Sequence, residues 1–182
     1  MEKYISQAIT EHQNGRLKEA EILYRDILKK NSNLHNIHNN LGLILLSYGK
    51  LEDAELSFKK AINIKPEYPE AHNNLGSLSQ ELKKFNKAEQ CFKKALKFKP
   101  DFAEAYNNFS GLLKVLGRLN EAEINARKAI ELKPQLAEAY SNLGNILKDL
   151  GRSNESELNS RKALQLKPQS VIFKKNLDLL LK

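Results

Sequence analysis

Cysteine is almost missing from this chain, which holds one, Cys91. A single thiol closes no internal disulfide and builds no cysteine metal site, so a reducing compartment is the easier assumption. Tryptophan is absent, and valine and threonine are scarce beside Ala, Leu, Lys, Glu and Asn. That balance favours helix over sheet, because straight-chain residues keep their rotamer freedom on a helix and β-branched ones lose it. No run approaches the roughly 20 apolar residues that span a bilayer. The start, MEKYISQAITEHQNG, is polar where a secretory signal would be apolar. A cytoplasmic chain with no membrane role is therefore expected. The histidines, His12, His35, His38 and His72, include no metal-ligand grouping. Nor can a nucleophile, a base and oxyanion donors be assembled, so no metal, no cofactor and no catalysis by this chain itself are expected.

The charge is lopsided, with a formal excess of +8. Divided over 1–34, 35–68, 69–102, 103–136, 137–170 and 171–182, it runs +1, 0, +3, +1, +1 and +2. So diffuse an excess reads as a solvated basic surface and speaks against a nucleic-acid groove. Basic pairs do recur, at Lys59-Lys60, Lys93-Lys94, Arg127-Lys128 and Arg161-Lys162. A row of them could meet phosphates or an acidic protein, but no aromatic residues are interleaved to stack bases. A solvated outer face is the expected role.

What is present is a repeat. Pro66, Pro100, Pro134 and Pro168 stand 34 residues apart, and a fixed period of that length means a stack of like units. In the second unit His38, Leu41, Gly42, Leu45 and Leu46 recur at helical spacing before Gly49-Lys50. Ala54, Phe58, Ala61 and Ile62 then form one apolar stripe that ends at Lys65-Pro66, since proline cannot continue the ladder. Gly15, Gly49, Gly117 and Gly151 follow each first helix, where a left-handed cap would need them. Lys83 holds that place in the third unit, which predicts strain or another turn geometry. Lys65, Lys99, Lys133 and Lys167 oppose the negative ends of the second helices, a structural role. Gly42, Gly76 and Gly144 inside first helices predict close helix approach. Ala20, Ala54, Ala88 and Ala122 are expected opposite them, with Phe58 and Phe92 filling the space beside.

These residues resemble the tetratricopeptide repeat, whose pattern over 34 residues is aromatic, Leu-Gly, large, Ala, aromatic, Ala, Pro. Here the pattern reads His38, Leu41-Gly42, Leu45, Ala54, Phe58, Ala61, Pro66, then His72, Leu75-Gly76, Ala88, Phe92, Ala95, Pro100. It continues with Tyr106, Leu113, Ala122, Ala129, Pro134 and with Tyr140, Leu143-Gly144, Leu147, Ala163, Pro168. The first unit is weaker, with Gln7-Ala8 for Leu-Gly and Ser32 for proline, though Ala20 and Tyr24 fit. The resemblance implies an all-α chain, a right-handed α-solenoid of tandem helix-turn-helix repeats. Its units would be 1–34, 35–68, 69–102, 103–136 and 137–170, with 171–182 as a C-terminal capping helix. It does not by itself fix a role, because one fold serves many.

The last unit departs most, with Ser153, Ser156 and Ser160 where Leu51, Ala54 and Phe58 stand earlier. A looser and more readily opened second helix is expected there. In VIFKKNLDLLLK, the residues Phe173, Leu177, Leu180 and Leu181 share a face and are expected to cover the open end of the stack. The leucine-rich ending would also allow self-association, or suit a fragment of a longer protein.

The resemblance places the first helices on the inner face. That face would show Asn39, Asn73, Asn107 and Ser141, with Asn40, Asn74, Asn108 and Asn142 beside them and Asn145 on the same face. Asparagine is a middling helix former, so its recurrence needs a reason. Its amide donates and accepts as a peptide group does, so such rows could hold the backbone of an extended peptide. They could equally bond to neighbouring backbone and support packing, and the outer residues at 39, 73 and 107 could simply be solvated. The phrases AEAYNNF and AEAYSNLGNILKDLG look like the repeats of O-linked N-acetylglucosamine transferases and bacterial relatives. A scaffold for a protein or peptide partner is the leading expectation, and the substrate-recognition region of a larger transferase the alternative. Glu70, Glu104 and Glu138 open first helices and are expected to answer the positive helix end. With Asn73 and Asn74 they leave no basic clamp for a C-terminal carboxylate.

Overall fold

The computed structural model describes residues 1–179, and every regular element among them is an α-helix. The chain divides into two compact units, the first Met1–Phe98 and the second from Lys99 onward. The first unit holds α1 (Glu2–Gln13), α2 (Leu17–Lys30), α3 (His35–Ser47), α4 (Leu51–Ile64), α5 (Pro69–Glu81) and α6 (Phe85–Phe98). The second holds α7 (Ala103–Val115), α8 (Leu119–Leu132), α9 (Ala137–Asp149), α10 (Ser153–Leu166) and α11 (Val171–Asp178). Consecutive helices pair as hairpins, α1 with α2, α3 with α4, α5 with α6, α7 with α8 and α9 with α10. Among the described residues no helix is long and apolar enough to cross a membrane.

Each hairpin is made by a short turn. Gly49 takes φ +71°, which lets its N–H reach Leu46 O and the Lys50 N–H reach Leu45 O, both at 2.9 Å. Lys83 makes the same turn at φ +57°, with its N–H on Gln80 O and the Lys84 N–H on Ser79 O at 2.8 Å. The geometry is thus kept and the side chain is carried into the left-handed region, at a cost of about 1 kcal/mol. Second helices end where the sequence stops them. α4 closes at Ile64, Lys65 is extended, and Pro69 opens α5 at its first turn, where a missing N–H is harmless.

In the hairpin interiors the small residue of the first helix lies against the aromatic ring. A Cβ on Gly42 would lie 2.6 Å from Phe58 Cε1, and one on Gly76 2.8 Å from Phe92 Cε1. The fourth hairpin solves the same volume differently, with Ser110 in the glycine's place and Ala126 in the ring's, both fully buried. In the fifth, Ser156 and Ser160 are buried and Ser156 Oγ donates to Gly144 O at 2.7 Å. Ser160 in the ring's place removes apolar burial, while Ser156, in the alanine's place, spends its hydroxyl on Gly144 O.

Ser170 caps α11, its Oγ accepting from the Phe173 N–H at 3.3 Å. Phe173 packs on Ala137 and Ala163 beside Tyr140, Leu164 and Leu166, and Leu177 is buried too. Leu180 and Leu181 of the expected apolar face lie outside the described residues. Val171 and Ile172 remain 80% and 69% exposed.

Candidate functional site

Successive first helices touch within each unit, α3 with α5, and α7 with α9 and α9 with α11. Because the hairpins repeat every 34 residues, like residues come side by side. The amide of Asn74 donates to Asn39 Oδ1 at 2.9 Å. In the second unit Asn142 donates to Asn107 Oδ1 at 2.9 Å, and Asn176 to Ser141 Oγ at 3.2 Å. Each bond spans 35 positions, from one row of the ladder to the other row of the preceding repeat. The outer row is the buried one. Asn39, Asn73, Asn107 and Ser141 are all under 9% exposed, so the solvated reading of 39, 73 and 107 is overturned. An amide so placed must be hydrogen-bonded, and its neighbour supplies the partner. Asn40, Asn74, Asn108, Asn142 and Asn145 are half-buried.

Asn176 belongs to the ladder and escaped the sequence reading. Its signal was available, since it lies 34 residues after Asn142. At the other end of the first unit Asn40 donates to Tyr24 Oη at 3.3 Å, and His12 Nδ1 stands 3.4 Å from the same hydroxyl. Burial raises the Tyr24 pKa and the Asn40 bond offsets part of that.

His38 and His72 are buried, as their repeat position implied, and each ring anchors the turn that precedes it. Their Nε2 atoms meet Ser32 O at 2.9 Å and Pro66 O at 2.8 Å. Desolvation lowers both pKa values against the opposing pull of those carbonyls. Cys91 is buried and its thiol is pushed up by desolvation, which makes it a poor nucleophile. Among the described residues no group of three or more His, Cys, Asp or Glu could hold a metal ion.

The charged residues are largely spent on one another. Lys133 reaches Glu104 at 2.5 Å, and Lys167 pairs with Glu138, each lysine closing the hairpin that its glutamate opens. The Lys133 bond lowers the Glu104 pKa. For Glu138 desolvation pushes up, but the Lys167 bond and charge carry the pKa down. The leading residue of every basic pair is held by a glutamate one turn earlier. These are Lys59–Glu55, Lys93–Glu89, Arg127–Glu123 and Arg161–Glu157, at 2.7 to 2.8 Å.

Sequence comparison agrees with this architecture. Tetratricopeptide repeat models match residues 69–102, 103–136 and 137–170, and a further TPR repeat model matches 42–82. The chain belongs to the tetratricopeptide repeat family. No curated protein sequence matches it. Among solved structures, this TPR chain is similar to TTC0263, a thermophilic TPR protein in Thermus thermophilus. The two share 20% identity at TM-score 0.84, over 99% of this chain and 98% of that one. It is also similar to PilF of Pseudomonas aeruginosa (14% identity, TM-score 0.83, 98% and 87% covered). A third is YrrB, described as a TPR protein with an unusual peptide-binding site (21% identity, TM-score 0.68, 94% and 89% covered). At such identities the likeness speaks for the TPR fold alone.

Proposed function

We propose that this TPR chain is a non-enzymatic interaction scaffold. It holds an extended segment of a partner protein against its first helices through Asn40, Asn74, Asn108, Asn142 and Asn145, with Asn39, Asn73 and Asn107 orienting them from behind. The observation that carries this is the half-buried row itself. An asparagine amide offers two N–H donors and two acceptor positions, and the ladder bond of Asn74 or Asn142 occupies one donor. The remainder suits the N–H and C=O groups of a peptide backbone and is indifferent to most of its side chains. YrrB is described as carrying a peptide-binding site on a comparable fold, which supports the reading. A cytoplasmic setting fits the buried free thiol of Cys91.

Asn145 gives the cleanest test, because its side chain makes no hydrogen bond among the described residues. Peptides selected from a random display library on the intact chain are titrated against Asn145→Ala and Asn142→Ala. Asn145→Ala should bind severalfold more weakly with unchanged melting. Asn142→Ala should lose binding and also about 1 kcal/mol of stability, because Asn107 forfeits its partner. If Asn145→Ala binds normally and Asn142→Ala loses only stability, the ladder is structural and the proposal fails.

A further inference from the structure

The first unit carries a groove that occurs twice. One, of about 420 Å3, is lined by Arg25, Leu28, His38, Leu41, Ser57 and Lys60, among others. The other, of about 200 Å3, is lined by Lys59, Ile62, His72, Leu75, Cys91 and Lys94. Each residue of the second set is the corresponding one of the first displaced by 34 positions. Both have an apolar floor from leucine and isoleucine, a buried histidine at the base and a basic rim.

The rim cations differ in one respect that matters. Arg25 and Lys59 are paired with Glu21 and Glu55, Lys29 with Asp26, and Lys87 with Glu55. Lys60 and Lys94 are exposed and form no ion pair among the described residues. They occupy equivalent places over His38 and His72, where their charge adds to the burial that keeps each imidazole neutral. Each groove therefore presents one uncommitted ammonium beside apolar surface. Asp53 stands on the rim of the wider groove, and Lys87 holds its place in the narrower one, which is thus the more cationic.

We infer that these two grooves form a second docking surface, for an acidic amphipathic segment of a partner protein. Its carboxylates would meet Lys60 and Lys94 while apolar side chains between them settle on Leu41 and Leu75. A nucleic acid fits less well, because its phosphates would leave the leucine floor uncovered. The second unit does not repeat the surface. Its equivalent positions keep the acid of Asp53 as Glu155 but carry Glu131 for Lys29 and Tyr140 for the histidine, and Lys162 there donates to Gln165 Oε1 at 3.2 Å. Glu131 and Glu155 there balance Arg127 and Lys162, so an acidic segment would find no net positive rim.

The test selects random displayed peptides of about twelve residues on the full chain carrying Asn142→Ala/Asn145→Ala, so that the asparagine row does not direct the selection. It then measures their binding by fluorescence anisotropy. Selection should enrich Asp and Glu next to Leu, Ile or Phe. Such peptides should bind Lys60→Ala/Lys94→Ala about tenfold more weakly and should bind Asn145→Ala as tightly as the parent, which separates this surface from the asparagine row. Both lysines are exposed, so circular dichroism of the double variant should match the parent. Enriched peptides without acidic residues, or equal binding to the double variant, would overturn the inference. So would displacement of the peptide by a single-stranded oligonucleotide, which would assign the lysines to phosphate instead.

Discussion

A methyl group at Gly42 would stand 2.6 Å from the Phe58 ring, well inside contact distance. The ring is fully buried. Gly42→Ala should therefore cost about 1–3 kcal/mol as an overpacked core. The fourth hairpin, with Ser110 and Ala126, indicates the remedy. In a double-mutant cycle by urea unfolding, the cost of Gly42→Ala should vanish once Phe58 is Ala, giving a coupling of about 1 kcal/mol or more. Additive costs would show that the glycine serves something other than the ring. The pairing of small and large was legible in the sequence, but which of them touch was not. Periodicity tells which residues share a face; the meeting of Gly42 with Phe58 depends on how two helices settle against each other.

Among elements, the second helices are tied to their successors by glutamates. Glu55 on α4 accepts from Lys59 of its own helix and from Lys87 and Lys84 of the next hairpin, at 2.7, 2.7 and 3.4 Å. In the second unit Glu123 on α8 receives Arg152 at the start of α10, at 2.7 Å. The bond from Lys59, then that from Lys87, brings the Glu55 pKa down from 4.5 to about 2. The folded carboxyl thus has the lower pKa, so its stabilisation is complete above 4.5 and is lost as pH falls through about 2. Glu55→Gln should lower stability at neutral pH by about 1 kcal/mol, as a partly exposed charge network would. The gap between variant and parent in urea midpoint should close on acidification from 4.5 towards 2; a gap that persists at the acid end would remove the charge explanation. Helix limits, turns and the anomalous Lys83 could all be read from the chain, because proline, glycine and apolar spacing act locally. The cross-repeat ion pairs could not, since no local rule couples a glutamate to a cation in the next repeat.

Over the whole molecule, cohesion is uneven. α4 buries Ala54, Phe58 and Ala61 on its packing face, where α10 buries Ser156, Ser160 and Ala163. A phenylalanine side chain contributes about 1.5–3 kcal/mol when fully buried. Amides of α10 and α11 should therefore exchange with deuterium roughly tenfold or more faster than those of α4, as read by mass spectrometry of peptic fragments; equal protection would mean that the serine bonds compensate for the ring. The candidate site was half legible. The asparagine rows were visible as a period, whereas burial of the row at 39, 73 and 107 was not, because polarity alone argues for solvent. Asn176 is hidden by the stronger signal of α11, its apolar face of Phe173 and Leu177. Its bond to Ser141 gives that terminal helix the donor of a further repeat's first helix. The ladder also disciplines length. One residue inserted into a first helix ahead of its asparagine would swing that amide about 100° around the helix and part it from its acceptor. Insertions of a whole repeat would restore the match, so an array of this kind can grow or shrink by copying units but cannot drift in size one residue at a time.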